Sequence, residues 1–174
     1  MTEPGVVSRQ GVADFSRFTS PEDLAAVSRI ERVGTVIVPQ SLAAAYARIP
    51  AEKVGSTVFV PDGANVRVHT GTLEVSGEGL GAAGDVLVVI GMLIITSPVT
   101  GEVPRQVSVV GLTLAPRGSE AALGRALGGG TGVVSYYRHT EGQDFKVLTG
   151  QVKLSGAMLA RARRVAGSLY RIAD

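Results

Sequence analysis

Cysteine and tryptophan are absent from this chain, and only two of its 174 residues are histidine. Without cysteine there can be no disulfide, no thiolate nucleophile and no cysteine-ligated metal. Two histidines are also fewer than the three that a carbonic-anhydrase-type zinc site requires. Charged residues are scarce at 18%, and the formal net charge of +2 does not by itself indicate nucleic-acid binding. We therefore expect a buried aliphatic core and no nucleic-acid partner.

The sequence also lacks a long apolar run and a targeting segment. Its longest uncharged stretch, residues 86–101, is interrupted by Gly91 and Pro98. That stretch is shorter than the ~20 residues that a membrane-spanning helix needs. The first 18 residues lack the basic-then-apolar plan of a signal peptide. We predict a cytoplasmic protein, and the excess of arginine over lysine, with much alanine, glycine and valine, is typical of a high-GC bacterial gene.

A repeat of about twenty residues dominates the second half of the chain. Apolar-x-apolar segments flank four central glycines, Gly71, Gly91, Gly111 and Gly150, and GVVSYYR at 132–138 supplies a further strand before the last of them. Alternating side chains point to opposite faces of a strand, and glycine allows the sharp bend between two strands. The pattern predicts a mainly β fold, a single-domain β-solenoid (β-helix) with coils of about 20 residues over 62–157.

The first third of the chain repeats in a different way. Residues 21–39 and 41–61 each show a short helical pattern, a Val-Gly turn and an apolar strand that ends in proline. Ser20 followed by Pro21 is a strong helix start. We predict two α/β coils over 19–61 that resemble leucine-rich-repeat coils, preceded by a disordered tail at 1–18. An amphipathic helix over 158–174 is predicted to cap the other end.

Three short segments suggest chemistry but fail its requirements. GEGLGA at 77–82 matches a dinucleotide fingerprint, yet too few residues precede the next strand for the crossover helix, which favours a coil-corner turn. GGGTG at 128–132 lacks the Gly-Lys-Ser/Thr of a phosphate loop, which favours a flexible insertion. Ser119 has no partner histidine nearby and is predicted to cap a short helix. We predict no catalytic residue, no cofactor and no metal.

Six residues are candidates for binding a partner. An aromatic pair followed by a cation could stack on a ligand or a protein, and the arginine stripe of the last helix could meet an anionic surface. With three arginines on a short helix, a solvated face is favoured over a membrane. The candidates are Tyr136, Tyr137, Arg138, Arg161, Arg164 and Arg171.

Over residues 62–157 the repeat length, the stacked aliphatic strands and the missing catalytic residues resemble the bactofilins, bacterial polymer-forming β-helix proteins. The resemblance implies self-assembly into cytoplasmic scaffolds without a nucleotide. Our leading hypothesis is therefore a non-enzymatic structural protein that self-associates through solenoid ends or faces and can form filaments. The alternatives are a monomeric recognition module that binds another protein or a glycan, and an enzyme with its site at a subunit interface.

Overall fold

A computed structural model describes residues 5–140 of the chain. The described part is mainly β, as the composition and repeat predict. Its strands are β1 (Val6–Ser8), β2 (Val12–Asp14), β3 (Arg29–Glu31), β4 (Thr35–Pro39), β5 (Ala51–Glu52), β6 (Ser56–Val60), β7 (Val66–Val75), β8 (Val86–Ile95), β9 (Gln106–Pro116) and β10 (Val133–Tyr137). Its helices are α1 (Pro21–Ala25), α2 (Ala43–Tyr46, after a 3-10 turn at Gln40–Leu42), α3 (Gly77–Gly81) and α4 (Glu120–Ala126).

The strands form three separate parallel sheets. Their orders are β1-β3-β5, β2-β4-β6 and β10-β9-β8-β7. Each sheet keeps its repeat in register, since Val36 pairs with Thr57 and Val68 pairs with Val88. The lengths of β7 and β8, ten residues each, match the apolar segments of the sequence, because alternating side chains on both sides of a glycine predict such strands directly.

The predicted single β-solenoid is wrong. Within residues 5–140, β6 pairs only with β4 and β7 pairs only with β8, so residues 61–65 lead the chain from one sheet to another. The sheets that contain β6 and β7 instead pack face to face, with Ile37, Val58 and Val60 against Val86 and Val88. Burial drives either arrangement equally well, and an apolar strand pattern does not reveal whether the next strand joins its sheet or covers it.

The prediction of two α/β coils that resemble leucine-rich-repeat coils is also wrong. Ile30, which follows Leu24 and Val27 at helical spacing and so falls within the helical pattern of 21–39, belongs to β3 and is fully buried there. The helix α1 ends earlier, at Ala25, and the chain continues into a separate sheet formed by β1, β3 and β5. Short helices and strands therefore alternate around a first core, the buried cluster that includes Leu24, Ile30 and Leu42. Each repeat contains two strands rather than one.

Residues 5–18 do not form the predicted disordered tail. The strands β1 and β2 pair in parallel with β3 and β4. Ala13 and Phe15 are buried in the first core, and the Phe15 N–H donates to the carbonyl of Ile37 at 2.9 Å. Burial of these apolar side chains outweighs the short length of the two strands. The predicted strand around Gly150 and the predicted helix at 158–174 lie outside the described residues.

Three local predictions, the helix start at Ser20, the turn at GEGLGA and the helix cap at Ser119, have different outcomes. The start of α1 is confirmed: the Asp23 carboxylate accepts from the N–H groups of Thr19 and Ser20 at 2.8 and 3.0 Å, and these bonds lower the pKa of Asp23. GEGLGA forms the helix α3 rather than a plain corner turn. Ser119 precedes α4 as predicted, but its buried hydroxyl accepts from the Val99 N–H at 3.1 Å instead of capping the helix.

None of the helices between residues 5 and 140 is long and apolar enough to cross a membrane.

Candidate functional site

A ladder of glycines positions the bend of the largest sheet. Gly71, Gly91 and Gly111 pair in register on β7, β8 and β9, and their φ angles are 98°, 132° and 139°. A Cβ atom built on Gly91 would collide with the carbonyl oxygen of Gly71, and one on Gly111 would collide with that of Gly91. Only glycine fits this combination of positive φ and close backbone approach. The fourth glycine of the predicted set, Gly150, lies outside the described residues.

The aromatic pair predicted as a partner-binding patch divides between core and surface. Tyr137 is only 6% exposed, and its hydroxyl donates to the carbonyl oxygen of Ile95 at 2.7 Å. Burial raises the pKa of Tyr137, with a further contribution from the negative charge of Glu74. Tyr136 packs against a second core, the buried cluster that includes Leu87, Leu93 and Val107, while Arg138 is exposed. Tyr137 therefore holds the structure together and does not present its ring to a partner.

Replacing Tyr137 with phenylalanine is expected to lower the free energy of unfolding by about 1–2 kcal/mol, because the Ile95 carbonyl loses its buried hydrogen bond. Tyr136→Phe is the matched control, since the structure gives its hydroxyl no hydrogen bond in the described part of the chain. Urea denaturation followed by circular dichroism measures both. Equal losses in the two variants would contradict the buried role of Tyr137.

The other predicted partner-binding residues, Arg161, Arg164 and Arg171, lie outside the described residues.

The described part of the chain contains no cluster of three histidine, aspartate or glutamate residues that could hold a metal ion. His69, in the same alternation phase of β7 as the exposed Arg67, is half-buried beside Val89, and its Nε2 atom is 3.1 Å from the Thr72 carbonyl oxygen.

The triglycine segment at 128–132 bridges two sheets rather than forming a free insertion. The Thr131 and Ser56 hydroxyl groups lie 3.3 Å apart, and the Gln106 amide donates to the Phe59 carbonyl at 2.8 Å. A cavity of about 200 Å³ lies beneath this segment. Its walls include Val107 and Thr113, and the buried Thr113 hydroxyl has no hydrogen-bond partner among the described residues.

The feature that sequence reasoning missed is the edge of the largest sheet. In the described chain, β7 pairs on one side only, over all ten of its residues. Its apolar residues Leu73 and Val75 are partly buried, whereas their neighbours Leu93 and Ile95 on β8 are fully buried. A long edge strand with half-covered apolar side chains is a template for pairing with another chain.

Two large apolar side chains are exposed near the β9–β10 side of the largest sheet, away from β7. Phe59 on β6 is 38% exposed and Val133 on β10 is 61% exposed. The contacts of Ser56 with Thr131 and of Gln106 with Phe59 bring β6, β9 and the start of β10 together. One end of the described molecule thus carries the edge of β7, and the other carries exposed apolar residues.

Searches against protein-family models, curated proteins and solved structures find no match to this chain. The resemblance to the bactofilins therefore remains a hypothesis drawn from the sequence pattern.

Proposed function

We propose that this protein is a non-enzymatic structural protein of a bacterial cytoplasm that self-associates through the edges of its parallel sheets. The observation that carries the proposal is β7, a ten-residue edge strand whose only partner in residues 5–140 is β8. Soluble proteins usually protect such edges by proline, by bulges or by a short strand, and β7 has no proline and pairs with β8 without interruption. A second copy is the natural cover for this edge.

The register of the sheet indicates how a second copy could add. Val133 of β10 pairs with Leu112, so Gly132 stands beside Gly111 at the end of the glycine ladder. If β10 of one copy met β7 of the next, Gly71 would continue that ladder and the strands would stay parallel. Such a contact joins two different surfaces, and repeated contacts of this kind give open filaments when the rotation does not close. The proposal requires no cofactor.

The test blocks the edge of β7 with charge. Thr70 and Thr72 are exposed on this strand, and lysine on an edge strand disfavours pairing with another chain. Wild-type protein is expected to sediment as oligomers whose mass rises with concentration, and Thr70→Lys/Thr72→Lys is expected to sediment as a monomer. Thr19→Lys/Thr100→Lys, with the same added charge on exposed residues outside the sheets, is expected to behave like wild type.

Analytical ultracentrifugation over a concentration and salt series measures this difference, and electron microscopy distinguishes filaments from closed oligomers. A wild-type protein that stays strictly monomeric throughout the series would rule out self-association. Equal dissociation in both lysine variants would show that net charge, not the β7 edge, controls assembly.

A monomeric recognition module is the second candidate, and the same unpaired edge favours it. An extended peptide can bind by adding a strand to an exposed sheet edge. In that case wild-type protein would be monomeric in the centrifuge, and the partner peptide would pair with β7, whereas Arg138 follows β10 at the other edge of the same sheet. A glycan remains the other ligand class for such a module. For an enzyme at a subunit interface, the described residues offer no supporting observation.

A further inference from the structure

Three basic residues adopt the same unusual backbone conformation at equivalent positions. Arg9, Arg32 and Lys53 have φ angles of 57°, 53° and 56°, and they are the only non-glycine residues with positive φ in the described chain. Each directly follows a strand of the β1-β3-β5 sheet and precedes a bend glycine by two residues. We call these three residues the basic ridge.

The basic ridge is a ladder in register. The Arg9 N–H donates to the Glu31 carbonyl at 3.1 Å, and the Arg32 N–H donates to the Glu52 carbonyl at 2.9 Å. Neighbouring strands lie ~4.8 Å apart, so three cations follow one another over roughly 10 Å. All three side chains are exposed. Like charges placed directly opposite each other on adjacent strands are destabilising.

The backbone alone does not explain this choice of residues. A left-handed conformation costs an L-residue about 1–2 kcal/mol, and glycine or asparagine adopts it more readily. The chain does place glycine two residues later in each bend: a Cβ atom on Gly34 or Gly55 would lie 2.6 or 2.5 Å from the preceding carbonyl oxygen in the stack. At the three positions of the basic ridge, however, the chain has arginine or lysine, whose side chains are long and positively charged. This unfavourable backbone conformation recurs at three equivalent positions, each time with a basic side chain. We therefore hypothesise that these side chains have a function.

Only part of the positive charge of the basic ridge is paired with carboxylates of the described chain. Arg29 approaches both nearby carboxylates, at 2.7 Å from Glu31 and 3.1 Å from Glu52. Lys53 lies 3.9 Å from Glu52. Arg9 and Arg32 form no ion pair with any residue in the range 5–140. With two glutamates and four basic residues, this surface carries a net charge of +2.

We propose that the basic ridge binds the phosphate backbone of a single-stranded nucleic acid. A narrow line of cations flanked by glutamates suits one extended polyanion better than the broad plane of an anionic membrane. Arginine pairs with phosphate oxygens through two parallel hydrogen bonds. Arginine and lysine side chains are long and flexible enough to follow phosphates whose spacing differs from that of the strands.

The expectation that no nucleic acid binds rested on the net charge of the whole chain, which does not reveal local clustering. The three cations are 23 and 21 residues apart, so no basic run is visible in the sequence. The signal that could have revealed them is a basic residue two positions before a glycine, in RQG, RVG and KVG.

The test measures fluorescence anisotropy of a labelled oligothymidylate with full-length protein at low salt. Arg9→Asn/Arg32→Asn/Lys53→Asn removes the charges while asparagine still tolerates the left-handed backbone. This ridge variant is expected to bind at least tenfold more weakly. For the wild type, the logarithm of the association constant should fall with the logarithm of salt concentration with a slope of roughly −2, corresponding to three phosphate contacts on a single strand.

Two further variants make the result decisive. Arg17→Asn/Arg105→Asn/Arg117→Asn removes three exposed arginines outside the basic ridge. This variant is expected to keep its affinity within about threefold of wild type, because salt weakens the effect of charges that lie far from the bound strand. Arg9→Lys/Arg32→Lys keeps the ridge charges but loses the bidentate arginine geometry, so it is expected to bind measurably more weakly than wild type. This variant tests the ridge if the asparagine variant does not fold, because affinity equal to wild type would then contradict the proposed arginine contacts. Thermal unfolding monitors the fold of each protein.

The proposal is overturned if wild type does not bind the oligonucleotide at low salt. It is equally overturned if the ridge variant and the off-ridge variant lose the same affinity, or if phosphatidylserine vesicles bind at the ridge and the oligonucleotide does not. Because self-association is measured separately on the lysine variants of β7, failure of one proposal leaves the other intact.

Discussion

Replacing Gly111 with alanine is expected to lower the free energy of unfolding by at least about 3 kcal/mol. The φ angle of 139° at Gly111 lies in a region that L-residues rarely adopt. An alanine Cβ would also collide with the carbonyl oxygen of Gly91, which is backbone of a fully paired central strand and cannot move aside. Urea denaturation followed by circular dichroism measures the loss.

Gly124→Ala is the matched control for this substitution. Gly124 lies in the helix α4, and a Cβ atom there would meet no other atom within 4 Å. Alanine in a helix interior is more stable than glycine by roughly 0.5–1 kcal/mol, so this variant is expected to be more stable than wild type. Wild-type stability of Gly111→Ala would show that the bend of the sheet does not depend on the glycine ladder.

Leu93→Ala is expected to destabilise the protein by about 2–5 kcal/mol, because it opens a cavity in a packed core. Leu93 is fully buried on β8 among the residues of the second core. Its in-register neighbour on the edge strand, Leu73, is only partly buried in the single chain, so Leu73→Ala is expected to cost clearly less in dilute protein.

The comparison between these two leucines also reports on assembly. If a second copy covers β7, the loss from Leu73→Ala grows with protein concentration, while the loss from Leu93→Ala does not. Thermal unfolding at several concentrations measures both. A loss from Leu73→Ala as large as that from Leu93→Ala in dilute protein would contradict the half-covered edge.

Several elements could be predicted from the sequence because their causes are local. The strands β7 and β8 follow from alternating apolar residues on both sides of Gly71 and Gly91. The start of α1 follows from Ser20 and Pro21, whose conformational preferences act within a few residues. For the same reason the helix α4 and the inward position of Leu123 were predictable, since Leu123 is fully buried.

The candidate surfaces were less predictable because they depend on residues distant in sequence. Which ring of the Tyr136-Tyr137 pair is buried depends on the Ile95 carbonyl, 42 residues earlier in the chain, which accepts the Tyr137 hydroxyl. The basic ridge exists only because three strands stack in register, which brings Arg9 beside Arg32.

By itself the sequence determined the mainly β class, the position of the long strands and the bends at glycine, since these depend on local periodicity and on backbone freedom at single residues. Only the tertiary structure decided that β6 and β7 belong to different sheets that pack face to face. Apolar side chains gain the same burial whether a strand joins a sheet or covers it, so alternation alone does not select between the two. The edge of β7 follows from that choice of packing, and the basic ridge follows from the register of the separate β1-β3-β5 sheet.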